Sequence, residues 1–182
     1  MRLFAAIRPP DRVLDHLANA LDLISLPHQA RNPWAPRANW HITLAFYGEV
    51  PDGLTPDIER RLDAVVQQTP PFRLSLAGAG VFNRDTCWVG VDDPSGVLPK
   101  LASELRDDLT AGKQHAANRF HLTLSRAGRQ AGLGDAMRAL AVYRGPEWPV
   151  ERITLYRSDL GQGVGGHPLY TSVHSAGWDP SQ

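Results

Sequence analysis

Apolar and polar positions change period repeatedly along the chain, and each change marks an element. Residues 2–7 form a short apolar run cut off by Pro9 and Pro10, which predicts a first strand. Val13, Leu14, Leu17, Leu21 and Ile24 then recur at three- and four-residue intervals. That spacing predicts a helix opening at Pro10 or Asp11. Residues 25–39, rich in Pro and Arg around Trp34, read as loop, and 40–47 as a strand. A turn over 51–56 leads into a helix from Thr55 or Pro56 to about Gln68, with Ile58, Leu62, Val65 and Val66 inward. Segments 72–76 and 86–91 predict a strand pair, and 97 to about 110 a helix stopped by Gly112. Segment 119–126 predicts a strand and 133–142 a short helix. Segments 149–157 and 169–174 predict a closing strand pair joined by the glycine-rich stretch 161–166.

Runs of strands interleaved with helices in this order predict an α+β fold with helix-covered sheets. A length of 182 residues fits one domain, or one domain with two lobes. Composition is that of an ordinary soluble globular protein, 42% hydrophobic and 21% charged. No apolar run approaches a membrane span, and the N-terminal run is too short for a signal peptide. The lone Cys87 can form no internal disulfide, which fits a reducing cytoplasm.

Charge adds one local feature. Lys plus Arg equals Asp plus Glu, 19 against 19, which argues against broad coating of nucleic acid or of an anionic membrane. Yet no acidic residue occurs over 23–48 or 109–134, while those stretches carry Arg31, Arg37, Lys113, Arg119, Arg126 and Arg129. If the two stretches converge, a neutral protein gains a positive pocket for a small anion.

Both stretches contain the same motif. Trp40-His41-Ile42-Thr43-Leu44-Ala45 ends at Gly48, and Phe120-His121-Leu122-Thr123-Leu124-Ser125 ends at Gly128. The aromatic, His, Thr, Leu, small residue and Gly fall at equal offsets. One His-x-Thr is a common accident; two in matching frames predict proton-transfer groups facing each other. Alternation on a strand puts His41 and Thr43 on one face and Ile42 and Leu44 on the other, and likewise His121 and Thr123 over Leu122 and Leu124.

In-line displacement at phosphorus needs one group to take a proton from water and another to give one to the leaving oxygen. Histidine suits both tasks near neutrality. The two threonine hydroxyls can stabilise charge gathering on the equatorial oxygens. No zinc pattern, serine-hydrolase elbow or phosphate-loop Lys-Ser/Thr is present. Residues 161–166 therefore read as a hairpin loop. Trp34 is placed either to stack on a nucleobase or to pack in the core. Phe46 stands at the offset from His41 that Arg126 holds from His121. Strict alternation points this fifth position away from the histidines, so either the strand ends or bulges there or the two residues lie outside the site.

The residues 2–7, the two motifs and Leu155-Tyr156-Arg157-Ser158 resemble the 2H phosphoesterase superfamily, and more closely its RNA 2′,3′-cyclic phosphodiesterases, once called 2′-5′ RNA ligases. The resemblance covers nearly the whole chain. It implies a single bilobal α+β domain over 1–182, two antiparallel sheets covered by helices, a central cleft and one motif per lobe. It also implies metal-independent opening of RNA 2′,3′-cyclic phosphate ends to 2′-phosphates, by a cytoplasmic monomer that needs no cofactor. Small cyclic nucleotides or 2′-5′-linked oligonucleotides are alternative substrates, and an RNA-end binding module without turnover is the non-enzymatic alternative. By the same resemblance His41 is the general acid and His121 the general base. Thr43, Thr123 and Arg126 hold phosphate; Phe46 is a candidate substrate contact on its matching offset in the repeat, not on the resemblance. Phe120 stands where the family often has proline.

Overall fold

The computed structural model describes residues 1–24, 33–83, 85–106, 119–126 and 132–178. The strands are β1 (Arg2–Ile7), β2 (Ile42–Glu49), β3 (Arg73–Phe82), β4 (Thr86–Asp92), β5 (His121–Ser125), β6 (Trp148–Pro149), β7 (Arg152–Asp159) and β8 (Leu169–Gly177). The helices are α1 (Asp11–Asp22), α2 (Thr55–Gln68), α3 (Val97–Leu105) and α4 (Gly134–Ala139), with short 3-10 turns between elements. No described helix is long and apolar enough to cross a membrane.

The helices form where the periodicity places them. Val13, Leu14, Leu17 and Leu21 are the buried stripe of α1, and Ile58, Leu62, Val65 and Val66 that of α2. Pro56 sits in the first turn of α2, where its missing N–H costs nothing. At the start of α3, Gly96 takes a left-handed conformation (φ +66°), and Asp93 accepts the Leu98 N–H at 2.8 Å. Helix α3 ends at Leu105, short of the expected end near residue 110, because Arg106 is already extended (φ −67°, ψ 141°); residues 107–110 lie outside the described ones.

All strand pairings are antiparallel, in the order β6-β3-β4-β5-β2-β1-β7-β8. The two expected sheets are the two halves of this array, β6-β3-β4-β5 and β2-β1-β7-β8. Among the described residues their strands pair at one position, Ile42 with Leu122, beside which the Ala35 N–H donates to the Leu124 carbonyl. Helices α2 and α3 pack on β8 and β2, and α4 on β3. Tyr47 donates its hydroxyl to the Leu105 carbonyl, fixing α3 to β2.

Two departures from the sequence expectation have one cause. β3 runs to Phe82, well past Leu76, because its Ala-Gly-Ala-Gly stretch is held by the ladder to β4 and not by side-chain pattern. Trp148 and Pro149 pair with β3 instead of opening β7. Only Val150 and Glu151 separate β6, at one end of the array, from β7 near the other end. The sheet therefore curls until its ends meet. There Trp178 donates to the Thr69 carbonyl at 2.7 Å and its ring stands edge-on to Phe72.

Candidate active site

The Ile42–Leu122 pair is the centre of the site. Both side chains are fully buried, with Leu44 and Leu124 beside them. Alternation then turns His41 and Thr43 to the opposite face, and His121 and Thr123 with them; all four are half-buried. Because β2 and β5 run antiparallel, His41 lies across from Thr123 and Thr43 across from His121. The two motifs are related by a local twofold through that single pair.

Each imidazole is held in the same way. His41 Nδ1 lies 2.7 Å from the Asn39 carbonyl, and His121 Nδ1 lies 2.9 Å from the Arg119 carbonyl. A carbonyl only accepts, so each Nδ1 carries hydrogen and donates it. Nε2 is left as the nitrogen that gains and loses a proton. Each ring also has aromatic walls from neighbouring strands. Phe4 (4.9 Å between centroids) and Tyr170 (5.2 Å) flank His41, while Phe82 (5.0 Å) and Trp88 (6.4 Å) flank His121.

These walls exclude water, and desolvation is the main reason both histidines titrate below their ordinary value. His41 is pushed down to about 4, with the Asn39 hydrogen bond opposing and the charges of Arg126 and His121 adding. His121 is lowered by burial and by Arg126, against its hydrogen bond to Arg119. Arg126 thus acts on both imidazoles.

The open question at position five is answered by bulges. Between Ala5–Ala45 and Ala6–Thr43 the register skips Leu44, and between Cys87–Ser125 and Trp88–Thr123 it skips Leu124. Each extra residue reverses the alternation. Leu44 and Ala45 are both buried, as are Leu124 and Ser125, and Phe46 and Arg126 emerge exposed on the face of the threonines. Arg2 places its guanidinium 4.7 Å from the Phe46 ring centroid.

Other expected cations divide. Arg37 is taken up by Asp11 and Asp15 on α1 and lies outside the site. Arg119 has its guanidinium 5.1 Å from the Trp88 ring centroid. Arg31, Lys113 and Arg129 fall outside the described residues. Trp34 packs against the core, and Cys87 is buried. Sequence reasoning missed Phe4, Tyr170, Phe82 and Trp88, which reach the histidines only across strand pairings.

The arrangement puts two imidazoles, two threonine hydroxyls and the Arg126 guanidinium on one face of neighbouring strands, groups that can transfer protons and hold an anion. The sequence model of the 2′-5′ RNA ligase superfamily matches residues 9–162. A Thermus thermophilus protein named RNA 2′,3′-cyclic phosphodiesterase is 34% identical over 172 residues, 88% of this chain and 83% of that protein. A Geobacillus stearothermophilus protein of the same name is 32% identical over 149 residues; the match takes in 75% of this chain but 45% of that protein's length. The crystal structure of E. coli LigT complexed with 3′-AMP superposes with a TM-score of 0.75 at 25% identity, covering 97% of this chain and 96% of that one.

Proposed function

The chain belongs to the 2′-5′ RNA ligase superfamily, and on that premise we propose that it hydrolyses RNA 2′,3′-cyclic phosphodiester ends to 2′-phosphomonoesters by metal-independent two-histidine catalysis. The observation that carries this reading is the twofold quartet of His41, Thr43, His121 and Thr123 about one strand pair, each histidine tethered through Nδ1. His121 Nε2 takes a proton from water as the water oxygen bonds to phosphorus. The bond from phosphorus to the 3′ oxygen breaks, and His41 Nε2 donates its proton to that oxygen. Thr43, Thr123 and Arg126 hold the non-bridging oxygens, whose charge they offset. Phe46 borders the substrate. A motif in each lobe of one domain, 1–182, lets one histidine deprotonate the attacking water and the other protonate the leaving oxygen from opposite sides.

His41 must be charged to act as acid, although burial holds it low in the free protein. The anionic phosphodiester supplies the missing stabilisation, since an opposite charge in a water-poor site raises an imidazole's pKa.

Incubation with adenosine 2′,3′-cyclic phosphate in EDTA, with products separated by chromatography, tests the proposal. The 2′-phosphate is expected, and His41→Ala or His121→Ala should each lose about 10²–10⁴-fold in rate, the scale of positioned acid or base catalysis. A 3′-phosphate product would overturn the assigned leaving oxygen. Wild-type rates in both variants would overturn the two-histidine scheme.

A further inference from the structure

We propose that the groove beside His121 is a second nucleotide subsite, which takes the neighbouring phosphodiester of an RNA strand whose cyclic end lies between the histidines. This rests on the function proposed above. The groove measures about 670 Å³ and is lined by Gly78, Ala79, Trp88, Gly90, Arg106 and Arg119, among others. That volume is in the range of small-molecule sites and suits a nucleotide.

Its position follows from the register. Gly90 is the cross-strand partner of His121, and Trp88 of Thr123. The groove therefore begins one strand spacing, about 4.8 Å, from the catalytic line. Small residues on β3 and β4 leave this part of the sheet open, where larger side chains would fill it.

The charged residues described in its lining, Arg106 and Arg119, are both cations and attract an anion. No acidic residue is among the described residues lining the groove. Neither Arg106 nor Arg119 has an acidic partner among the described residues. Guanidinium groups against apolar walls, without an acidic partner among the described residues, match the forked geometry of a phosphodiester.

Arg119 joins the two regions. Its carbonyl anchors His121 Nδ1, while its guanidinium lies over Trp88 in the groove. One residue thus holds the catalytic imidazole from behind and lends its guanidinium to the groove. A lone cyclic mononucleotide leaves the groove empty; an oligonucleotide end fills it.

The test compares kcat/KM on adenosine 2′,3′-cyclic phosphate with that on a diadenylate ending in the same cyclic phosphate. Wild-type protein should favour the dinucleotide by roughly tenfold or more, the scale of one charge-assisted contact. Arg106→Ala should bring the ratio towards one, and Arg106→Glu, which keeps a long solvated side chain, should lower it further. Arg106→Lys should restore part of it. Equal preference in wild type, or a ratio unmoved by both Arg106→Ala and Arg106→Glu, would overturn the subsite while leaving the catalytic proposal standing. Failure of wild type on both substrates would instead overturn the function on which it rests.

Discussion

His41 is a half-buried residue whose titration its surroundings move far from the ordinary value. Phe4 and Tyr170 close on its ring, and its pKa falls to about 4. His121 shifts the same way. In the free protein the form with His41 charged and His121 neutral is a minor one. We therefore expect kcat/KM to peak on the acid side of pH 6.5, about the unperturbed histidine value. A bound phosphodiester anion favours both imidazoliums, so kcat should peak at higher pH. Rate profiles on the cyclic nucleotide check this, and coincident optima would show that the bound anion does not retune the pair. The same shifts affect folding. Both folded-state values lie below the unfolded one, so the unfolded chain binds protons first as pH falls. Stability should be intact above about pH 6.5 and decline from there to about pH 4. His41→Asn should flatten that decline in thermal melts; an unchanged slope would assign it to other groups.

At the scale of elements, the strands act through register. Apolar alternation was enough to place His41 with Thr43 and His121 with Thr123, because that part of each strand is regular. It left Phe46 and Arg126 open, since a bulge is set by how partner strands pair, and β1 and β4 are remote in sequence from the strands they shift. The aromatic walls were illegible for the same reason. The helices were the most legible elements, since their buried faces depend on local spacing alone. Gly80 gives a test of the walls. It is the cross-strand partner of Trp88, and a Cβ there would overlap the indole. Gly80→Ala should push Trp88 against His121 and lower kcat by roughly tenfold, a misplacement effect, with only a small change in Tm. A large fall in Tm with unchanged specific activity would separate Trp88 from catalysis.

Across the whole molecule, the curled sheet has two places where its halves meet. One is the Ile42–Leu122 pair; the other is the cluster where Trp178 joins Phe72 and the Thr69 carbonyl, with Val150 donating to Phe72 and Trp178 to Glu151. Trp178→Ala removes an aromatic contact and a hydrogen bond and should cost about 2 kcal/mol of stability, less than the scale for fully buried aromatic truncations because the ring is half-buried, read by urea unfolding. Unfolding in two separate steps would show that the halves melt independently, whereas one shifted transition would show them melting together.

Those two joints give the molecule the mechanics of a calliper. Each four-stranded half is an arm, and each arm carries one histidine close to where the arms touch. A single rung offers little resistance to rotation, so the gap between the histidines is set by what packs around it: the hydrogen bond from Ala35 to Leu124, α3 against β2, and the second joint, where the indole of Trp178 sits among residues of neither motif. Substitutions around that indole are then adjustments to the jaws. A lineage can use them to fit a wider or narrower phosphoester without altering a residue that touches it.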